Sequence, residues 1–262
     1  VWVKNRASTY DHALMDSVRG ASAAYLSSNN TASESTYGNI YGDFTSFDSD
    51  GFSVAEGSDA TYPDAAFNQS SEAYVAWNWL AGTAFSNDAS ATGVGNVDSS
   101  GQVNTEAGFS IMSYTGSSNT AFAHGLSSQP EMVLIKRRDS AAQWAVYHTG
   151  LSSTSYYLNL DDADAEASYG SAFINPGSTT ITIDANSSLL NANGGTYICY
   201  AFHSVEGYSK VGSYVGNNST TFVHTGFRVA WLMIKNIDEG SGADWGIFDN
   251  TRPDGTGATS GV

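Results

Sequence analysis

Four acidic side chains fall within six residues of the chain, at Asp161, Asp162, Asp164 and Glu166. Calcium in proteins is held by several oxygen ligands from a flexible loop, and this segment supplies enough carboxylates for such a site. It lacks the residue pattern and the glycine of an EF-hand loop, so a solvated acidic loop is the competing interpretation. The sequence offers this one candidate calcium site and predicts no other cofactor.

Aromatic side chains form a second candidate site. Trp77 and Trp79 are two residues apart, so both lie on one face of a strand. Tyr156 and Tyr157 are adjacent, so they point to opposite faces and one of them faces outward. Because Tyr and Trp rings provide large contact surfaces, these four residues are candidates for stacking on the sugars of a glycan. The competing interpretation places Trp77 and Trp79 in a core.

Eight of the ten basic residues belong to a recurring pattern. An apolar run ends in Lys, an Asp or His follows twelve residues later (fourteen in the last copy), and an Arg follows three residues after the Asp. The residues concerned are Lys4, Asp16 and Arg19; Lys136 and His148; and Lys235, Asp249 and Arg252. We predict structural ion pairs of Lys4 with Asp16 and of Lys235 with Asp249, with each Arg holding the next turn. The alternative is a basic site for anionic groups of a glycan.

Composition excludes several classes of function. Ten Lys and Arg against 26 Asp and Glu give a net charge of −16, which cannot neutralise a run of phosphates, so no nucleic-acid partner is expected. No apolar stretch approaches the ~18 residues of a membrane span, so no membrane insertion is expected. The single Cys199 excludes an intrachain disulfide. The sequence contains no nucleophile elbow, Walker loop, dinucleotide fingerprint or HExxH motif, and we predict that the protein is not an enzyme.

Several segments of the chain repeat one another. The matching pairs are 74–77 with 197–200, 108–110 with 207–209, 113–116 with 213–216, and 122–124 with 222–224. Agreement at this many offsets indicates duplication. We predict unit 1 (residues 1–107), which lacks its N-terminal strands and includes a linker at 82–107. Unit 2 (108–206) is complete, and unit 3 (207–262) is the start of another copy.

The local pattern predicts strands rather than helices. Short runs rich in Val, Ile, Thr, Tyr and Trp are bounded by clusters of Gly, Asn, Asp and Ser. Many short strands at roughly 8–12-residue spacing are typical of β-sandwiches. We therefore predict an all-β fold of tandem antiparallel β-sandwich units, jelly-roll or concanavalin-like.

A string of motifs resembles a known repeat domain. The motifs are VWVKNR at 1–6, DSVRG at 16–20, TSFDSDGF at 45–52 and YVAWNW at 74–79. Together they resemble a repeat domain of unassigned function from virion proteins of marine tailed bacteriophages, often in long chains that also carry SPRY-like sandwiches. The resemblance implies a tail-fibre or other particle-surface protein, located on the virion and outside the cell. It carries over no catalytic residue, and unit 2 departs from it at His148 and Leu151.

From this resemblance we expect a phage surface protein that contacts host-surface glycans as a tail-fibre or adhesin segment. The first alternative is a purely structural fibre spacer or capsid-decoration protein. The second is a polysaccharide depolymerase tailspike. The expected partners are further copies of the chain, with a homotrimer favoured by analogy, and other virion proteins.

Overall fold

The computed structural model describes residues 1–21, 25–34, 40–61, 66–240 and 242–252, so the end of unit 3 lies outside the described residues. Its regular elements are almost all strands, which confirms the predicted all-β class. The one helix, α1 (Ala89–Thr92), is a single turn capped by Asp88, whose side chain accepts a hydrogen bond from the Ala91 amide. No helix in the described part of the chain is long and apolar enough to cross a bilayer.

Unit 1 and its C-terminal extension contain seven strands that pair only antiparallel. They are β1 (Trp2–Asn5), β2 (Ala13–Leu14), β3 (Asp43–Phe47), β4 (Phe52–Ala55), β5 (Tyr74–Trp77), β6 (Thr83–Asn87) and β7 (Ser99–Asn104). The first sheet has the order β2-β1-β5, and β3 and β4 form a separate hairpin. Val3, Met15, Phe44 and Phe67 pack together between them, which gives unit 1 its own core.

Unit 2 is a sandwich of a large and a small antiparallel sheet. Its strands are β8 (Phe109–Thr115), β9 (Thr120–Ala123), β10 (Met132–Arg137), β11 (Ala145–His148), β12 (Tyr156–Asn159), β13 (Ala167–Ser168), β14 (Ile174–Pro176), β15 (Thr180–Ile183) and β16 (Thr196–Phe202). The large sheet has the order β13-β12-β11-β10-β16-β8-β7-β6, and the small sheet has the order β14-β15-β9. Tyr114, Ile135 and Cys199 of the large sheet pack against Phe122 and Ile181 of the small sheet.

The predicted linker at 82–107 is wrong. The segment folds into β6, α1 and β7, and β7 pairs along its length with β8 of unit 2. Polar composition hid these strands because they extend the large sheet at its edge, where most of their side chains are partly or fully exposed. The hairpin of β6 and β7 therefore belongs to the unit 2 sheet rather than to unit 1.

Unit 3 contributes one hairpin in the described residues, β17 (Trp231–Ile234) and β18 (Gly246–Asp249). By repeat position, β1, β10 and β17 are equivalent, and so are β2, β11 and β18. The strands β5 and β16 also match, and each pairs antiparallel with the Lys-bearing strand of its own unit. The three units therefore share one hairpin built from the same part of the repeat.

Candidate functional site

The alternating side chains of the shared strands enter two different cores. One face of β10 turns Val133 and Ile135 into the unit 2 sandwich. The other face turns Leu134 into a second core, which we call the central core. The equivalent of Leu134 in unit 1, Trp2, lies in the central core, and the unit 3 equivalent, Met233, packs against it. Period-two alternation thus gives each unit an inner face toward its neighbours.

The central core takes the same positions from all three units. Leu14, Val146 and Ile247 are ten, ten and twelve residues after their Lys, and all three are buried in it. Leu26 and Leu158, each 22 residues after its Lys, are there as well. A shared apolar core of this kind stabilises the three units as one body rather than as independent beads.

The three lysines bind backbone carbonyls rather than the predicted aspartates. Lys4 Nζ donates to the Tyr10 carbonyl oxygen at 2.6 Å, and Lys235 Nζ donates to the Ala243 carbonyl oxygen at 2.7 Å. Lys136, which is fully buried, donates to the Ala142 carbonyl. Burial lowers the pKa of Lys136 to about 8, against the opposing charge of Asp161. Each lysine therefore fastens the loop that leaves its own strand, and the prediction of Lys–Asp pairs is corrected.

Each aspartate pairs instead with the arginine three residues later. Asp16 Oδ2 lies 2.5 Å from Arg19 Nε, and Asp249 Oδ2 lies 2.6 Å from Arg252 Nε. Each arginine also donates to a strand carbonyl five residues earlier. In unit 2, His148 Nδ1 accepts the amide of Gly150 at 2.8 Å, as Asp16 accepts the amide two residues on. His148 thus keeps the turn contact but loses the charge.

A first hydrogen bond joins an aromatic side chain of one unit to the aspartate of the next. Tyr200 of unit 2 donates its hydroxyl to Asp16 of unit 1 at 2.6 Å. Trp77, the unit 1 equivalent of Tyr200, donates its indole N–H to Asp249 of unit 3 at 3.2 Å. The Arg252 guanidinium also lies over the Trp77 ring, 5.4 Å from its centre.

A second hydrogen bond repeats between a different pair of units. Trp144 of unit 2 donates its indole N–H to the Ser27 carbonyl of unit 1 at 2.8 Å. Trp245 of unit 3 donates to the Asn159 carbonyl of unit 2 at 2.9 Å. Ser27 and Asn159 are each 23 residues after the Lys of their unit (27 − 4 and 159 − 136). The junction of unit 3 with unit 2 therefore copies that of unit 2 with unit 1.

A third contact behaves in the same way. The amide of Glu34 in unit 1 donates to the Arg138 carbonyl of unit 2, and the amide of Glu166 in unit 2 donates to the Ile237 carbonyl of unit 3, both at 3.0 Å. Taken with the two contacts above, unit 2 docks on unit 1, unit 3 docks on unit 2, and unit 1 docks on unit 3. The three units therefore form a closed ring with approximate threefold symmetry, joined head to tail.

The most buried charges of the ring lie at the junction of units 1 and 2. The side chains of Arg19 and Asp16 are 0% and 1% exposed, and Glu34 lies 3.2 Å from a second nitrogen of Arg19. Burial disfavours the charged form of Asp16. The charge of Arg19 and hydrogen bonds from Tyr200 and Arg19 outweigh burial, and they hold the pKa of Asp16 below its usual value. The site is a fully partnered ionic network, suited to fixing geometry.

Packing uses the aromatic residues that were predicted to bind sugars. Trp77 is 8% exposed and lies in the central core, so it presents no face to a glycan. Trp79 is half-buried against the same core, and its ring centre lies 5.4 Å from that of Trp231. Tyr156 and Tyr157 are half-buried and pack against the central core and the unit 2 core respectively. The structure does not bring these four rings together on one surface.

The acidic segment does not form a metal centre. Asp161 accepts the Trp144 amide at 2.8 Å, Asp162 accepts the Asp164 amide at 3.3 Å, and Glu166 accepts the Ser152 amide at 2.9 Å. Among the described residues, no group of three or more His, Cys, Asp or Glu side chains is placed to hold a metal ion. These carboxylates instead stabilise local turns, so the calcium site is not supported.

Comparison with known families places the whole ring in one domain. A family model described as a domain of unknown function (DUF7483) matches residues 1–260. The chain belongs to this family. The match runs through both predicted unit boundaries, so one DUF7483 domain takes in all three units. No curated protein and no solved structure matches the chain.

The residues that join this DUF7483 ring were not singled out from the sequence. Tyr200, Trp144 and Trp245 carry the junctions, together with carbonyl groups that no side-chain pattern marks. One signal was available, because Trp144 and Trp245 follow their lysines by eight and ten residues, which is the same offset after the two-residue insertion.

Proposed function

We propose that the chain is a structural module of a virion surface protein, serving as a rigid block in a fibre or as a capsid decoration. The observation that carries the proposal is the repetition of the same hydrogen bonds at successive junctions, around a shared apolar core. A ring whose junctions are all engaged has a fixed shape, which suits a load-carrying element. The resemblance to repeat domains of marine tailed phages supplies the setting on the virion surface.

The placement of the aromatic residues favours this structural role over an adhesin. Trp77 is buried, and Trp79, Tyr156 and Tyr157 are half-buried in two different cores. The proposal assigns the chain no catalytic step, so it also sets aside the depolymerase. The proposed partners are other virion proteins and further copies of the chain in a threefold fibre.

Two measurements test the proposal. Antibodies raised against the purified chain should decorate intact particles from a phage whose genome encodes it, visible by immunogold electron microscopy. The same purified chain should show no saturable binding to host cells or to isolated host-surface polysaccharide. Absence of the label from particles would overturn the virion setting. Saturable glycan binding that is lost in Trp79→Ala, with the fold retained, would restore the adhesin.

A further inference from the structure

Unit 3 exposes side chains whose equivalents in unit 2 are buried. Residues 207–224 repeat 108–124, which form β8 and β9 in unit 2. Phe109, Tyr114 and Phe122 are at most 4% exposed, whereas their equivalents Tyr208, Tyr214 and Phe222 are 60%, 51% and 86% exposed. Apart from an isolated bridge between Val205 and Ser209, residues 203–230 form no strand. An apolar strand sequence therefore lies open to solvent.

The structure of unit 2 shows what covers these positions when the repeat is filled. There β16 lies between β8 and β10 and pairs with both, and its Tyr197 stacks on Tyr114 with ring centres 4.9 Å apart. In unit 3 the equivalent of β10 is β17, which pairs only with β18 among the described residues. Leu232 of β17 is 44% exposed, and its equivalent Val133 is 0% exposed. Unit 3 thus has both neighbours of a β16-type strand.

The ring also lacks one contact that such a strand makes. Tyr200 of β16 and Trp77 of β5 each donate to the aspartate position of the next unit. The third contact of this kind would run from unit 3 to unit 2, where the aspartate position is His148. Because His148 Nδ1 accepts the Gly150 amide, the neutral ring carries its proton on Nε2 and can donate it to an arriving side chain. The half-buried His148 is therefore the expected contact point.

We propose that unit 3 binds an extended strand from another polypeptide, inserted between β17 and residues 208–214 and antiparallel to β17. The strand has the pattern shared by β5 and β16: an aromatic residue, a β-branched residue, a small residue, and an aromatic residue with a hydrogen-bonding group. The last residue lies against His148. Strand addition of this kind uses backbone hydrogen bonds for affinity and side-chain pockets for specificity.

The partner is a separate protein rather than a second copy of this chain. In a second copy, β16 is hydrogen-bonded on both edges and β5 is paired with β1, so neither strand is free to leave. The inference deepens the proposed assembly role and rests on it for its meaning. Its test uses the isolated chain and a peptide, so it gives an answer whether or not the chain lies on a virion.

The probe is a fluorescein-labelled peptide with the sequence of residues 195–203, carrying Cys199→Ala to prevent oxidation. We expect saturable one-to-one binding by fluorescence anisotropy, and none with a scrambled peptide. Leu232→Asp and Phe222→Asp should each weaken binding at least tenfold, since each adds a charge to the covered face. Ser219→Asp adds the same charge at an exposed position outside that face and should leave binding unchanged. Phe222 is 86% exposed, so its variant should keep the fold.

Two further readouts locate the strand. Hydrogen exchange should slow in residues 208–214 and 231–234 when the peptide binds. A peptide with Tyr200→Phe should bind several-fold more weakly to the wild-type chain, and this difference should vanish in His148→Ala. The proposal is wrong if binding is not saturable, if both Asp variants bind normally, or if protection appears on β5 instead. A peptide-free dimer that Leu232→Asp dissociates would assign the surface to self-association.

Discussion

Asp16 and Asp249 make the same contacts in different surroundings, which separates the effect of burial from that of geometry. Each accepts two backbone amides, an arginine Nε and one aromatic donor from another unit. The side chains of Asp16 and Arg19 are 1% and 0% exposed, whereas those of Asp249 and Arg252 are 9% and 23% exposed. The repeat therefore contains its own matched pair of ionic sites.

We expect Asp16→Asn to lower the free energy of unfolding by about 3–5 kcal/mol, because it removes the partner of a fully buried guanidinium. Asp249→Asn is the control, and it should cost about 1 kcal/mol or less because solvent screens Arg252. Chemical denaturation of both variants measures the difference. Equal losses would show that burial does not set the value of these pairs.

A pH dependence follows from His12, which is 1% exposed and accepts the Trp2 indole N–H at Nδ1. Burial, with smaller effects from Lys4 and Arg252, lowers the pKa of His12 from 6.5 to about 4. As pH falls through this range the unfolded chain binds the proton first, so folding stability is lost between pH 6.5 and about 4. We expect wild type to lose about 3 kcal/mol more than His12→Gln over this range, from denaturation curves at both pH values. Parallel losses in the two proteins would contradict the assignment.

At the scale of elements, sequence reasoning found the apolar strands and missed the polar ones. The runs at β10 and β16 contrast with their surroundings because they are buried in the interior of the large sheet. The β6–β7 hairpin has Ser, Asn and Gly at most positions, since it forms the outer edge of that sheet and gains its order from pairing. Pairing between polar strands leaves no periodic signal in the sequence, so composition alone indicated a linker.

Gly101 tests whether β7 depends on close pairing. A methyl group there would collide with the Ile111 backbone and lie 2.8 Å from the Met112 Cα of β8. We expect Gly101→Ala to lower the unfolding free energy by about 1–3 kcal/mol through overpacking, and to speed amide exchange in residues 99–104. Gly51→Ala, which has nothing within 4 Å of the added methyl, should change stability by less than about 0.5 kcal/mol. Wild-type exchange in the Gly101 variant would restore the linker interpretation.

At the scale of the whole molecule, the repeat offsets predicted three related units but not how they meet. The offsets mark Lys4, Lys136 and Lys235 as equivalent, and the structure gives them equivalent carbonyl contacts. The junctions depend on groups far apart in the chain and include backbone carbonyls such as that of Ser27. A sequence has no local pattern for such contacts, so the ring could be found only from the fold.

The shared central core predicts one cooperative unfolding transition. Each unit buries an inner face only against the other two, so partial unfolding would expose apolar surface in the rest. Differential scanning calorimetry should therefore give equal calorimetric and van't Hoff enthalpies. Independent units would instead give a calorimetric enthalpy about two to three times the van't Hoff value.

The bond between Trp77 and Asp249 gives the ring a timetable during synthesis. The two residues are 172 positions apart. At the ribosome's pace of about 5–20 residues per second, Trp77 is made roughly 10 to 35 seconds before its partner. Over that interval the nascent chain holds a tryptophan with no acceptor and an unfinished apolar face. Ring closure is thus the last step of assembly, and the newborn protein is most open to chaperones and proteases just before it.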